Sequence, residues 1–281
     1  VYKRQHRDRA VSHRIGSGRV RFPAVSADLW ELQLDTSESS ISGVSIAALA
    51  TAFAVDGFRT AVDMGRCSAL LSAQETVLLT HCHSDHVAGL IAWLSAHTRR
   101  HRGRPTRVVV PDQRRAELLA ALEIWPDLDG VRRRVDLDEA LVSASAGTDI
   151  ELAGSGFARA FTVRHNTAAL GWALSTAGAT RPSMVFAGDG TVEPFRDDPG
   201  LLDAEIAVVD CSFIDPGTRV AARLGGHGHL ADWIELLPEL KCRSLVLAHL
   251  PPETTAESIL ERLPEEIPGA ADIVPWVAGP R

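Results

Sequence analysis

The chain lacks several features that would place it in a membrane, in an oxidising compartment or on nucleic acid. Its four cysteines are Cys67, Cys82, Cys211 and Cys242, and no pair has the C-x-x-C spacing of a zinc ribbon or redox motif. The longest apolar stretches, such as SIAALATAFAV, are too short to span a bilayer, and no apolar signal core follows the charged first residues. The formal net charge of −7 argues against a dedicated nucleic-acid coat or a binder of anionic membranes. We therefore expect a cytoplasmic protein with free thiols and no membrane contact.

Internal repeats and low-complexity tracts are also absent from the sequence, and apolar strand and helix patterns alternate along it. Alternation of this kind favours a layered α/β architecture. The length of 281 residues suits one large domain or two small ones, and we predict a single domain over 1–281. The opening VYKRQ resembles translated adapter sequence, so residues 1–15 are expected to be disordered or non-native.

The local patterns predict individual elements. TAFAVDGFRTAVDMG (51–65) indicates two strands joined at a tight Asp56-Gly57 turn, and the polar stretch 35–43 indicates a loop. TRVVVP (106–111) is typical of a strand. Apolar residues at helical spacing predict four helices, over 88–101, 112–125, 229–240 and 255–267.

Several apolar strands lead directly into a side chain that can bind metal. A histidine or aspartate on an ordinary surface has no reason to follow a strand each time. The ends of neighbouring buried strands, in contrast, can converge on one point at the rim of a sheet. The residues that follow strands in this way are Asp63, His81, His165, Asp189, Asp210 and His249.

The densest cluster lies in THCHSDHVAGL (80–90), directly behind the apolar run TVLL. While the backbone is extended, His81 and His83 point the same way, and Asp85 and His86 then point elsewhere as a helix begins. One short loop can therefore supply ligands to two metal ions. Imidazole and carboxylate ligands together suit zinc, with iron or manganese as alternatives. A solvated histidine-rich loop is the competing interpretation, and the buried strand before the loop argues against it.

The H-x-H-x-D-H loop resembles the signature of the metallo-β-lactamase superfamily, and the order of the later elements is similar to that of its ribonuclease Z and phosphodiesterase branch. The similarity runs from about residue 43 to the C-terminus. It rests on VDMGRC, LLTHCHSDHVAGL, RHNTAALGWAL, VFAGDGT, VVDCSFID, GHGHLADWIEL and LVLAHL. The resemblance implies a four-layer αββα sandwich with two metal ions, expected to be Zn²⁺ with Mn²⁺ or Fe²⁺ as alternatives, at one rim.

The resemblance also implies a role for each residue of the site. Asp189 would bridge the two ions, and Asp63 would orient the histidine loop. His229 aligns with the catalytic histidine of the branch, and Asp210 would hold its ring; with Asp85 these are the candidate catalytic residues. The ions would activate a bridging hydroxide that attacks a phosphodiester. The first metal would be held by His81, His83 and His165, and the second by Asp85, His86 and His249.

The sequence departs from the branch in ways that bear on the substrate. Enzymes of the branch that process transfer RNA carry a protruding arm between the third and fourth motifs, but only 23 residues separate His165 from Asp189 here. Ala169 and Trp172 replace the family's serine and tyrosine, and Asp210 stands where glutamate is usual. The basic stretch 97–107 is the remaining feature that could hold a polyanion.

Three functions stay open at this point. The first is a dinuclear zinc phosphodiesterase that acts on RNA ends or small phosphodiesters. The second is an acyl hydrolase that opens a lactone, a thioester or a similar bond, and the third is a catalytically idle binding protein. The full ligand set argues against the idle protein, and His229 favours the phosphodiesterase. We further expect a phosphodiester or another small molecule as substrate, with RNA as an alternative, and a homodimer.

Overall fold

The computed structural model describes residues 12–15, 18–25, 32–35, 39–100, 105–128, 135–154, 156–267 and 271–277. Its strands are β1 Ser12–Ile15, β2 Gly18–Arg21, β3 Ala24–Val25, β4 Leu32–Asp35, β5 Ser40–Ile46, β6 Ala50–Val55, β7 Thr60–Val62, β8 Thr76–Leu78, β9 Arg107–Pro111, β10 Leu141–Ala144, β11 Asp149–Leu152, β12 Gly156–Thr162, β13 Leu170–Thr176, β14 Met184–Phe186, β15 Ile206–Asp210, β16 Ser244–Ala248 and β17 Asp272–Pro275. Its α-helices are α1 Ser84–Val87, α2 Leu90–Arg100, α3 Arg115–Leu128, α4 Leu137–Ala140, α5 Glu193–Asp197, α6 Arg219–Gly225, α7 Leu230–Leu236 and α8 Ala256–Leu260.

The strands form two mixed sheets. One has the order β1-β2-β17-β16-β15-β14-β13-β12-β11, and its strands β14 to β17 run parallel. The other has the order β10-β9-β8-β7-β6-β5-β4-β3, with β7 to β10 parallel. Parallel strands end at a common edge, so residues that follow them are brought together there.

Three apolar clusters hold these sheets and the helices in four layers. The cluster between the sheets joins side chains of both, for example Phe53 and Val62 from one sheet with Trp172 and Phe186 from the other. A second cluster packs α7 and neighbouring segments on the outer face of the nine-stranded sheet. A third packs α2 and α3 on the outer face of the eight-stranded sheet. The αββα sandwich predicted from the sequence is therefore confirmed.

Most of the elements predicted from local patterns are present. The strands around the Asp56-Gly57 turn are β6 and β7, which pair antiparallel through a 3₁₀ turn at Asp56–Phe58. The predicted helices correspond to α2, α3, α7 and α8, although α8 has only five residues.

Two predictions about the N-terminal part differ from the structure. The loop prediction for 35–43 is wrong at both ends, because β4 ends at Asp35 and β5 begins at Ser40, and residues 36–38 lie outside the described part of the chain. Residues 12–15, which we expected to be disordered or non-native, pair with β2 as strand β1. The rest of that expectation concerns residues 1–11, which lie outside the described part of the chain.

Strand ends from both sheets meet at one edge of the sandwich. Asp63 follows β7 and His249 follows β16, and both have a left-handed backbone, with φ of 58° and 53°. L-residues rarely adopt this conformation, and it is concentrated at functional sites. Among the described residues, no helix is long and apolar enough to cross a bilayer.

Candidate metal centre

Side chains near the strand ends form two separate groups that could each hold a metal ion, and a third possible group joins His227 to Asp189 and His249. Within each group, one donor atom per residue lies within 4.8 Å of the others. The first group comes from the loop after β8, the end of β12 and the end of β14, and the second from α1 and the end of β16. The members of the first group are His81, His83, His165 and Asp189, and those of the second are Asp85, His86 and His249.

In the first group, the donor atoms of neighbouring side chains lie close to one another. Nε2 of His165 lies 3.4 Å from Nδ1 of His83, and Nε2 of His81 lies 3.7 Å from Oδ2 of Asp189. Ligands about 2.0–2.1 Å from zinc in a tetrahedron are about 3.3–3.4 Å apart, so the histidine pair has the separation of zinc ligands.

Asp189 lies between the two groups. Its Oδ1 is 3.3 Å from Nε2 of His86, and its Oδ2 is 3.3 Å from Nε2 of His249. Oδ2 of Asp85 completes the second group, 3.1 Å from Nε2 of His249. Oδ2 of Asp189 also lies 3.7 Å from Nε2 of His81 in the first group, so this carboxylate contacts both groups, as the sequence predicted for a bridging residue.

Three of the histidines are oriented by an acceptor at Nδ1. His86 donates this hydrogen to Oδ2 of Asp63 over 2.8 Å, and His165 donates to the carbonyl of Gly226 over 2.9 Å. The Thr80 hydroxyl donates to Asp63, so it can accept from Nδ1 of His81 at 3.1 Å. With Nδ1 protonated, Nε2 of each ring keeps the lone pair that a metal needs. The place predicted for Asp63 matches these contacts.

Two buried ring nitrogens test whether the residues fit a metal. Nε2 of His81 and Nε2 of His86 have no hydrogen-bond partner among the described residues, although both side chains are fully buried. An unsatisfied buried polar atom costs about 1–3 kcal/mol, so two of them facing one carboxylate need an explanation. A divalent cation accepts both lone pairs and neutralises the carboxylates, and the donor set therefore fits a metal centre.

Electrostatic interactions within the cluster shift the pKa values of its histidines in different directions. Burial, followed by the neighbouring His86, holds the pKa of His81 well below its usual value. Burial acts in the same direction on His86, but Asp63 and Asp189 outweigh it and hold the pKa of His86 well above the usual value. Burial would raise the pKa of Asp189, but His86 and His249 outweigh it and hold that pKa well below its usual range.

A further histidine, His227, lies beside both groups and pairs with Asp210. Its Nδ1 donates to Oδ2 of Asp210 over 2.8 Å. Its ring centroid is 4.9 Å from that of His165 and 5.8 Å from that of His249, which it stacks on. Burial would lower the pKa of His227, but the hydrogen bond to Asp210 and that residue's charge outweigh it and raise the pKa.

The structure does not bring His229 to this centre, and the predicted pairing of His229 with Asp210 is absent. His229 is the N-cap of α7: its Nδ1 accepts from the backbone N–H of Ala231, and its Nε2 donates to the carbonyl of Asp215. Both ring nitrogens are therefore occupied, and the side chain is buried. A ring held in this way has no free atom with which to donate a proton to a substrate.

The two glycines around His227 explain the placement. Gly226 has a φ of 72°, and a Cβ there would lie 2.9 Å from Cα of His165. A Cβ on Gly228 would lie 1.9 Å from the carbonyl oxygen of Asp210. The backbone can pass this close to the site only without side chains. Sequence reasoning missed His227, although the position of His229 directly before an apolar helix was an available N-cap signal.

The segment between His165 and Asp189 is short. Residues 166–188, all described, form only β13, β14 and their connection, so the protruding arm is absent. Of the basic stretch 97–107, Arg99 and Arg100 end α2, and residues 101–104 lie outside the described part. Arg100 is hydrogen-bonded to Ser72.

Comparison with known proteins gives a consistent family. The family model described as "Beta-lactamase superfamily domain" matches residues 58–250. The tRNase Z TRZ2, chloroplastic, of Arabidopsis thaliana is 22% identical over 278 residues, which cover 85% of this chain and 75% of that protein.

Solved structures give the same fold. The metallo-beta-lactamase fold protein YhfI from Bacillus subtilis superimposes with a TM-score of 0.60 and 16% identity, covering 84% of this chain and 95% of that one. A diphosphatase from the PhnP family has a TM-score of 0.55 and 16% identity, covering 83% of this chain and 80% of that one.

Proposed function

The chain belongs to the β-lactamase superfamily domain family, and from that premise we propose that it is a two-metal phosphodiesterase similar to ribonuclease Z. The observation that supports this most is the pair of donor groups joined at Asp189. An idle binding protein would gain nothing from buried imidazole nitrogens that lack partners.

The assignment of ligands follows the two groups. His81, His83 and His165 would hold the first ion and Asp85, His86 and His249 the second, and Asp189, 3.7 Å from His81 and 3.3 Å from His249, would contribute to both. Zinc suits this donor set best, with manganese or iron as alternatives. Two bound divalent ions supply Lewis acidity towards a phosphoryl oxygen and lower the pKa of a nucleophilic water.

His227 is the residue we assign to proton transfer. Its Nδ1–H is fixed on Asp210, so the other ring nitrogen is the one that can carry a proton to the leaving oxygen. The Asp210 carboxylate at Nδ1 stabilises the protonated form of the ring, which a general acid requires. Asp210 keeps its predicted place as the residue that orients the catalytic histidine, but that histidine is His227.

The substrate class follows from the site and its surroundings. A phosphodiester carries negative charge that two cations can neutralise, and its leaving alkoxide needs a proton. Without an arm, little of the described surface remains to grip a folded RNA, so we propose short RNA ends or small phosphodiesters. The names of two similar proteins, tRNase Z and diphosphatase, both describe action on phosphate bonds, which supports this substrate class.

A parallel assay distinguishes this function from acyl hydrolysis. Purified protein is given bis-p-nitrophenyl phosphate or p-nitrophenyl acetate, before and after a chelator, and with zinc added back. Phosphodiester cleavage that the chelator removes and zinc restores is the expected result. The variant Asp189→Asn controls for contaminating enzymes, because it should lose the same activity. Metal-dependent cleavage of the ester alone would replace phosphodiester cleavage with acyl hydrolysis.

We also propose that the protein is a homodimer in the cytoplasm. Val220 and Leu224 lie one turn apart on α6, next to the His227 loop, and are 70% and 84% exposed. A second copy of the chain that covers these two side chains would remove their apolar surface from water, which supports the proposal. The cysteines are all free, which fits a reducing compartment. Light scattering during gel filtration tests the dimer, and a Leu224→Glu variant should run as a monomer.

A further inference from the structure

The hydroxyl of Ser212 lies where the second metal group and the proposed proton donor meet. Its Oγ is 2.8 Å from Nδ1 of His249, 2.5 Å from Oδ1 of Asp210 and 3.2 Å from Nδ1 of His227. Ser212 lies two residues beyond the end of β15, in the loop that follows Asp210. Neither its residue type nor its position in the sequence marks it as a ligand.

Counting hydrogens fixes the direction of these bonds. The carboxylate of Asp210 is fully buried and accepts four bonds, from the backbone N–H of Ser212 and of Gly190, from Nδ1 of His227 and from the Ser212 hydroxyl. The single hydroxyl hydrogen of Ser212 is thus used on Asp210. The hydroxyl oxygen can therefore bond to Nδ1 of His249 only as an acceptor, which requires that Nδ1 be protonated.

This direction determines which nitrogen of His249 can bind metal. With Nδ1 protonated, Nε2 carries the lone pair, and Nε2 is the atom that faces Asp85 and Asp189. The partners at Nδ1 of His81, His86 and His165 have the same effect on those rings. Ser212 supplies for His249 what Asp63, Thr80 and Gly226 supply for the other three.

We propose that Ser212 is a positioning residue with two linked effects. It holds His249 in the tautomer that binds the second metal ion, and it holds the Asp210 carboxylate that orients His227. Removing the hydroxyl therefore weakens the second metal site and also disturbs proton donation. The second effect rests on the proposed function, whereas the first depends only on the metal site.

The first test measures metal binding and uses no substrate. Zinc and cobalt(II) are titrated into metal-free wild-type protein, Ser212→Ala and Ser212→Thr, with calorimetry and the visible cobalt spectrum as readouts. Loss of an outer hydrogen-bond partner of a ligand typically lowers metal affinity about 10–100-fold. Ser212→Ala should show this loss at one of two sites and a changed cobalt spectrum, and Ser212→Thr should recover most of the affinity.

The matched control is Ser72→Ala. Ser72 is buried and hydrogen-bonded to Ala69. Ser72 precedes β8, whereas His81 follows β8, so Ser72 lies at the end of the strand that is remote from the metal loop. Ser72→Ala should bind both ions as wild-type protein does. Circular dichroism of each metal-free variant separates a local effect from unfolding. Equal affinity of folded Ser212→Ala and wild-type protein at both sites would overturn the tautomer role.

The second test is made at saturating metal, so that occupancy no longer differs. Ser212→Ala should then still cleave a diester with an alkyl leaving group about 10-fold more slowly than wild type, and one with a p-nitrophenolate leaving group almost as fast. Full recovery with both leaving groups would overturn the link to His227. If wild-type protein cleaves no diester at all, the proposed function fails, and the metal titration still decides the role of Ser212.

Discussion

The imidazole of His227 donates its Nδ1 hydrogen to Oδ2 of Asp210 over 2.8 Å, while His229, two residues later, donates to a backbone carbonyl. Two histidines in one G-H-G-H stretch therefore have unrelated surroundings. One lies beside the proposed metal ligands His165 and His249, and the other caps a helix. This contrast provides a matched pair of variants.

His227→Ala should lower the turnover of substrates with alkoxide leaving groups about 10²–10⁴-fold, because the general acid is lost. The loss should be much smaller for p-nitrophenolate, which leaves without a proton. Metal content, measured by elemental analysis, should be unchanged. Loss of an ion from His227→Ala would instead make this residue a ligand, a role its distance from Asp189 and His249 also permits.

His229→Ala should act on stability and leave the chemistry nearly intact. Loss of the N-cap hydrogen bond costs about 0.5–2 kcal/mol, and the lost bond to Asp215 adds to it. Urea unfolding monitored by circular dichroism measures this. A turnover loss as large as that of His227→Ala, in folded protein, would return the catalytic role to His229.

Metal content should be close to two ions per chain, and the bridge makes the losses unequal. Asp189→Asn should weaken both sites, because Asp189 faces both groups, whereas His249→Ala should leave about one ion. Removing both ions with a chelator should lower Tm by roughly 5–15 °C, since each ligand present far above its Kd adds about 3–4 kcal/mol. Asp189→Asn with full occupancy would show that the bridge is assigned wrongly.

Substrate length should matter little to this enzyme. With no arm among residues 166–188, kcat/KM for a short diester should equal or exceed that for precursor transfer RNA. The double variant Arg99→Ala with Arg100→Ala should leave the short diester unaffected, because both side chains lie at the far end of α2 from the metal loop. Accurate and efficient trimming of precursor transfer RNA by the wild-type chain would contradict this expectation.

Asp232 on α7 forms ion pairs with α6, and these two helices lie on either side of the His227 loop. The contribution of Asp232 to stability should depend on pH. Oδ1 of Asp232 accepts from Arg219 at 2.8 Å and from Arg223 at 2.9 Å. Burial would raise its pKa, but the two guanidinium groups, Arg223 first, outweigh it and lower that pKa. A lowered folded-state pKa stabilises the protein above the ordinary aspartate pKa, and the stabilisation is lost as the pH falls through the folded value.

Asp232→Asn should therefore lower the free energy of unfolding by about 1–3 kcal/mol at pH 7. The difference from wild type should narrow below about pH 4, where the carboxylate of the unfolded chain is protonated. Urea unfolding of metal-free protein at pH 7 and pH 3 measures this. Glu253→Gln, at an exposed carboxylate, is the control and should change little at either pH. If wild type and Asp232→Asn differed equally in free energy of unfolding at both pH values, the charge of Asp232 would not contribute to stability.

The sequence predicted the fold and most of the cluster because both depend on strands. A buried strand fixes where the next residue lies, so His81, Asp189 and His249 could be expected at one rim. The choice between His227 and His229 could not be made this way, because a glycine-rich loop has no period that fixes side-chain direction.

Polar residues account for the other differences between the predictions from the sequence and the structure. The stretch 35–43 was expected to be a loop because it is polar and rich in turn-forming residues, yet β5 begins at Ser40 and continues to Ile46. Ser45 in this strand accepts from the backbone N–H of His249 over 2.9 Å. The sequence did not indicate Ser212, because its proposed role depends on the direction of the Asp210 carboxylate oxygens, which only the structure shows.

The left-handed backbone at His249 sets the stability of the metal-free protein against activity. It holds a side chain that the site needs in a conformation that costs an L-residue about 1–2 kcal/mol. Glycine or asparagine adopts this conformation more easily, so selection for thermal stability without metal would favour them at 249. Asp63 has the same backbone, but aspartate tolerates it better than most residues, and its carboxylate accepts from Thr80 and His86. Selection for turnover would keep the histidine at 249, so a library randomised there and sorted separately for each property should yield two different populations.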